Sequence, residues 1–128
     1  MADNPKSGVA EKRKFKRADA SFPVMYSIQS PFQLRLEIGK QEIDGIADDL
    51  SQGGLSLLTN YDIPAGAVIL IKFRLLSKSG PSHEERSRKF ELEGEARHSS
   101  FSKENGYRVG IRFVNISQDD RYFIAGCV

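Results

Sequence analysis

The chain is short of several things at once. It has one cysteine, Cys127, in 128 residues, so no internal disulfide can form. It has no tryptophan and two histidines, His83 and His98, too few thiols and imidazoles for a structural zinc site. His83-Glu84 opens like the H-E-x-x-H helix of a zinc protease, but Ser87 stands where the second histidine belongs. No apolar run approaches the roughly 18 residues of a membrane span. The opening MADNPKSGVAEKRK lacks the apolar stretch of a signal peptide. A reduced, cytoplasmic setting is therefore expected. There is no G-x-S-x-G nucleophile elbow and no G-x-x-x-x-G-K phosphate loop, and the carboxylates scatter over predicted strand faces. The expectation is a protein that is not an enzyme and carries no metal or cofactor.

Net charge is also small, at +2, but it conceals an asymmetry. Lys12, Arg13, Lys14, Lys16 and Arg17 are five cations in positions 12–17, and removing them from +2 leaves the rest of the chain at −3. A mildly acidic body thus carries a basic segment at its N-terminal edge. Such a run attracts phosphate esters, nucleic acid or an anionic bilayer, or is simply a solvated tail. Phe15 within it, and the sheet-like sequence that follows, argue against a free tail.

Residues 1–11, with Asn4, Pro5, Ser7 and Gly8, are expected to be a flexible leader. Residues 12–128 form one domain of ordinary size. Phe22, Val24, Tyr26 and Ile28 alternate with smaller or polar residues, and Leu34, Leu36 and Ile38 alternate with Arg35 and Glu37. A period of two predicts strands with one buried face in both places. Further strands are expected at Glu42–Asp49, Leu55–Asn60, Val68–Leu76, Phe90–His98 and Tyr107–Phe113, with a polar loop over residues 77–88. Ser117 followed by Asp120 resembles a helix N-cap with an acid three residues on, opening a short helix over Arg121–Ala125. Six or seven short strands without βαβ spacing predict a small antiparallel barrel or sandwich.

Two patterns carry chemistry. Arg13 and Arg17 stand in R-K-F-K-R. An arginine fork matches the O6/N7 edge of guanine, its plane stacks on a base, and it pairs equally with phosphate. Asp49-Leu50-Ser51-Gln52-Gly53-Gly54 is a D-x-S-x-x-G pattern at a strand-to-strand turn. Asp49 has two oxygens to accept from guanine N1 and N2, and Ser51 a hydroxyl for a phosphate or base edge. Gly54 permits a positive φ and the close approach of a ligand. The plainer alternative is an ordinary Asx/Ser turn whose side chains satisfy their own backbone.

R-x-x-x-R ahead of the first strand, D-x-S-x-x-G about 30 residues on, and the closing Y-R-V-G-I-R-F strand together resemble the PilZ domain family, over Lys12 to Phe123. The resemblance implies an all-β fold, a six-stranded antiparallel PilZ-type β-barrel with a short C-terminal helix. It implies binding of the bacterial second messenger cyclic di-GMP, with Arg13 and Arg17 gripping guanine and phosphate and Asp49, Ser51 and Gly54 forming the second motif. Gly110 and Phe113 match the family's structural G-x-x-F strand. Lys12, just before the first arginine, is compatible with two intercalated ligand molecules per chain. Arg97 and His98, placed at a strand end, are candidates to border the pocket, although a surface-exposed strand end is the favoured reading.

The resulting expectation is a receptor or adaptor that is switched by its ligand. Cyclic di-GMP would draw segment 12–17 onto the barrel beside Asp49 and Ser51, and so alter a surface seen by a downstream protein. Ordering six residues costs on the order of 6–12 kcal/mol, against about −8 kcal/mol net for a micromolar complex. The contacts must therefore be numerous and charge-assisted. A PilZ-like adaptor that binds no nucleotide is one alternative. A basic-armed nucleic-acid binder is another, disfavoured because the body is acidic and its tyrosines (Tyr26, Tyr61, Tyr107 and Tyr122) form no stacking strip; DNA is not expected as a partner.

Overall fold

The computed structural model describes residues 17–18, 21–39, 41–77 and 86–127. The expected leader, Lys12 and Arg13 lie outside the described residues, as does most of the expected loop over 77–88. Six strands close into an antiparallel barrel in the order β2 (Phe22–Ser30), β3 (Ile43–Asp48), β5 (Gly54–Thr59), β8 (Gly106–Val114), β7 (Arg86–Ser102) and β6 (Val68–Ser77). A two-stranded ribbon of β1 (Arg17–Ala18) and β4 (Leu50–Ser51) sits beside it. Helices α1 (Phe32–Ile38) and α2 (Gln118–Cys127) complete the order.

The period-two pattern places the core. Val24, Tyr26 and Ile28 of β2, Leu55 and Leu57 of β5, Ile69 and Ile71 of β6, and Val109, Ile111 and Phe113 of β8 are all buried. Their polar neighbours face out, because successive side chains of a strand point to opposite faces. One polar pair sits among the buried residues, where the Tyr26 hydroxyl hydrogen-bonds the Thr59 hydroxyl across the interior. Burial pushes the Tyr26 phenol up to about 12, since the phenolate would lose its hydration there.

The helix α2 follows Ser117, whose Oγ accepts from the Asp120 amide at 3.1 Å, the N-cap read from the sequence. Ile124 is fully buried. Phe123 joins a row of rings, with Phe22–Phe73 centroids 5.5 Å apart, Phe73–Phe90 5.1 Å and Phe90–Phe123 5.7 Å. Arg88 of β7 lies over the last two rings and pairs with Asp120 at 2.6 Å. The helix is thereby held to the extended ends of β6 and β7.

One expected strand is a helix. Residues 32–38 form α1, with Pro31 in extended conformation before it and Gly39 in the left-handed region closing it, the Gly39 amide bonding the Arg35 carbonyl at 3.0 Å. Leu34 is buried and Ile38 packs on the core, while Phe32 and Leu36 are exposed. The alternation of 34, 36 and 38 concealed an i, i+4 pair, Leu34 and Ile38, which a helix also places on one face. Pro before the element and Gly after it are the helix punctuation that the alternation overrode. The strand expected to end at His98 also runs on, to Ser102.

Candidate functional site

The D-x-S-x-x-G turn connects β3 to β5 by way of β4. Leu50, 1% exposed, is its anchor in the core and fixes the residues on either side at the surface. Ser51 makes a tight local turn, its Oγ accepting from the Gly53 amide at 3.2 Å and donating to the Gly54 carbonyl at 3.4 Å. The plainer expectation for this serine is therefore met, and its hydroxyl retains a second lone pair. Gly53 gives its carbonyl to the Phe113 amide at 2.9 Å, tying the turn to β8.

Gly54 departs from expectation. It has no positive φ. Its requirement is contact with β8, because a Cβ there would lie 2.0 Å from the Ile111 carbonyl oxygen. The residue that adopts the left-handed conformation is Asp49, at φ 52°, which an aspartate tolerates better than most residues.

Asp49 and its neighbour Asp48 meet Arg108 of β8. The Arg108 guanidinium donates through Nη1 and Nη2 to the two Asp48 carboxylate oxygens at 3.2 and 3.0 Å, and again through Nη2 to Asp49 Oδ2 at 2.7 Å. Sequence reasoning passed over Arg108. The alternation of β8 marks it as outward-facing, but its partners lie 59 and 60 residues away and only the strand order brings them together.

The last residue of the basic segment reaches the same corner: Arg17 pairs in antiparallel register with Ser51, and Ala18 with Leu50. Beyond the turn, register sets out the outer face. Asp48 of β3, Ser56 of β5, Gly110 of β8 and His98 of β7 form one cross-strand row. Gly54, Arg112 and Glu95 form the next. The His98 ring lies against Gly110, where a Cβ would meet its Cε1 at 2.4 Å. The absence of a side chain at Gly110 thus lets the His98 ring lie over β8 between Arg108 and Arg112.

Arg97 lies in the interior of β7, not at a strand end, in the bulge between Ala96 and His98. It donates to Glu95 at 3.2 Å, and Arg112 donates to the same oxygen at 2.9 Å. Arg112 and then Arg97 hold the Glu95 carboxyl below the usual carboxylate range. A groove of about 630 Å³ opens elsewhere, against Pro23, Met25, Ile46, Lys72 and Phe73, and includes none of the sequence-predicted residues. Among the described residues no group of three or more His, Cys, Asp or Glu side chains is placed to hold a metal, and no helix is long and apolar enough to cross a membrane.

The fold has clear relatives among solved structures. The Bacillus subtilis inhibitor of motility, MotI/DgrA, superposes with a TM-score of 0.66 at 18% identity, over 89% of this chain and 48% of that one. YcgR of Escherichia coli in complex with c-di-GMP gives 0.56 at 17% identity, over 88% of this chain and 42% of that one. The PilZ domain of YcgR with c-di-GMP gives 0.54 at 17% identity, over 88% of this chain and 86% of that domain. The chain thus spans about half the length of the first two, and at these identities they establish the fold alone. No curated protein sequence matches. The sequence model described as PilZ domain matches residues 11–128. With the closed six-stranded barrel and the D-x-S-x-x-G turn seated on its wall, that match establishes that the chain belongs to the PilZ domain family.

Proposed function

We propose that the protein is a cyclic di-GMP receptor that acts as an adaptor. Ligand binding orders the basic segment against the barrel wall and changes the surface offered to a downstream protein. The observation that carries the reading is the pairing of Arg17 with Ser51. It brings the end of R-x-x-x-R to the strand of D-x-S-x-x-G, so two motifs some 30 residues apart in sequence share one corner. In this reading Arg13 and Arg17 take guanine and phosphate, Asp49 accepts from guanine N1 and N2, and Ser51 offers its remaining lone pair. Gly54 holds the turn to β8. Arg97 stands at the margin, and Lys12 admits a second, intercalated ligand. In this reading the protein is a cytoplasmic binding module without catalysis.

Ordering the basic segment on the barrel costs about 1–2 kcal/mol per residue. Two charge-assisted arginine contacts at about 1.5–3 kcal/mol each, with base stacking of about 1–3 kcal/mol per base, are of the size required.

Calorimetric titration with cyclic di-GMP tests the reading and reports stoichiometry. Arg13→Ala and Arg17→Ala are each expected to abolish measurable binding with the melting temperature unchanged. Wild-type affinity in both variants would remove the proposed role of the arm. Binding by the wild type at one ligand per chain would remove the role given to Lys12.

A further inference from the structure

Two carboxylates on adjacent residues, Asp48 and Asp49, stand at the corner where the proposed ligand is read. Left alone they repel, and Asp49 stands on a left-handed backbone. Arg108 answers the repulsion. Its fork spans the two Asp48 oxygens, and the same Nη2 reaches Asp49 Oδ2 at 2.7 Å, the shortest of the three contacts. Arg108 is carried by β8, opposite Leu58 of β5, so the clamp is anchored in the barrel and not in the turn it holds. The Arg108 side chain remains 43% exposed, so the clamp lies at the surface.

We infer that Arg108 is a positioning residue, which fixes the Asp49 carboxylate in the orientation that reads the guanine N1–N2 edge. The inference rests on the function proposed above and deepens it. A carboxylate oxygen has two acceptor sites, so Asp49 accepts from Arg108 and from a guanine amine together. Orienting the acceptor before the ligand arrives is what makes such a contact selective, because the ordering is complete before binding. Lysine does less: its ammonium has donors enough for both carboxylates but no rigid planar fork to set their orientation.

The test separates guanine readout from phosphate attraction. Cyclic di-GMP and cyclic di-IMP carry the same phosphates and differ only in the two exocyclic amines, so any phosphate contact cancels in the ratio of their affinities. Wild type is expected to prefer cyclic di-GMP by about tenfold or more, the size of one lost hydrogen bond to a charged group. Arg108→Gln and Arg108→Lys should both bring that ratio towards one. Melting temperatures and amide spectra of β8 identify any variant whose barrel is disturbed, and Asp48→Asn gives a second route to loosening the clamp from its other end. A ratio that stays at the wild-type value in Arg108→Gln, or that Arg108→Lys restores, overturns the inference alone. A wild type that binds cyclic di-GMP without preferring it overturns the role of Asp49, and a wild type that binds neither ligand overturns the reading of the site, each taking the inference with it.

Discussion

Gly54→Ala distinguishes two reasons for a glycine in a ligand motif. If Gly54 is there to let a ligand approach the backbone, alanine should weaken binding and leave the fold alone. The structure gives it another task. An added Cβ would lie 2.0 Å from the Ile111 carbonyl oxygen, 3.0 Å from its carbon and 3.2 Å from Arg112 Cα. The first of these is about 1 Å closer than real Cβ contacts come, and all three atoms are backbone, so no rotamer relieves the clash. β5 must move off β8, which strains a neighbouring bond as well, from the Phe113 amide to the Gly53 carbonyl. Overpacking of this kind costs about 1–3 kcal/mol, and weakening the hydrogen bond adds about 1 kcal/mol. A total of about 3 kcal/mol, set against an unfolding entropy of about 2.1 cal/mol/K per residue, lowers the melting temperature by roughly 10 °C. Differential scanning calorimetry of Gly54→Ala beside Gly66→Ala checks this, since Gly66 has φ 95° but open space around its Cβ position. The second variant should lose only about 1 kcal/mol, from backbone strain. A Gly54→Ala protein that melts within about 2 °C of wild type yet fails to bind cyclic di-GMP would refute the packing argument.

Two further outcomes are expected from the core. Tyr26 has its folded phenol raised from 10.0 to about 12, so the folded state holds a proton that the unfolded state releases. The stability this represents is fully present below pH 10 and is lost as pH rises towards 12, up to about 3 kcal/mol by linkage. Urea midpoints measured between pH 9 and 11.5 should fall more steeply for wild type than for Tyr26→Phe; equal slopes would assign the loss to other groups. Leu50→Ala, at a position 1% exposed, should cost about 2–5 kcal/mol. It should also reduce affinity for cyclic di-GMP, because the anchor between Asp49 and Ser51 is gone. Affinity that survives a loss of that size would show that the turn is held without it.

The barrel was legible where a strand has one wet face and one dry one. Tyr107, Val109, Ile111 and Phe113 announced β8 because inward and outward residues must alternate there. Where a short element buries only a stripe, the same letters fit two periods. Leu34, Leu36 and Ile38 satisfied a strand on paper, yet Leu34 and Ile38 satisfy a helix in the molecule. Arg97 was misplaced for a related reason, since a bulge leaves no mark in the periodicity.

The amino-acid sequence by itself determined the family resemblance, the all-β class and the concentration of positive charge in residues 12–17. All of these depend on residue type and on spacing along the chain. Tertiary structure decided which residues meet at the D-x-S-x-x-G corner. Arg17 reaches Ser51 through ribbon pairing, and Arg108 reaches Asp48 and Asp49 across β5. The reason Gly54 must be glycine likewise lies in β8, 57 residues later at Ile111. Such contacts are set by strand order and register, which long-range packing selects and no local pattern encodes.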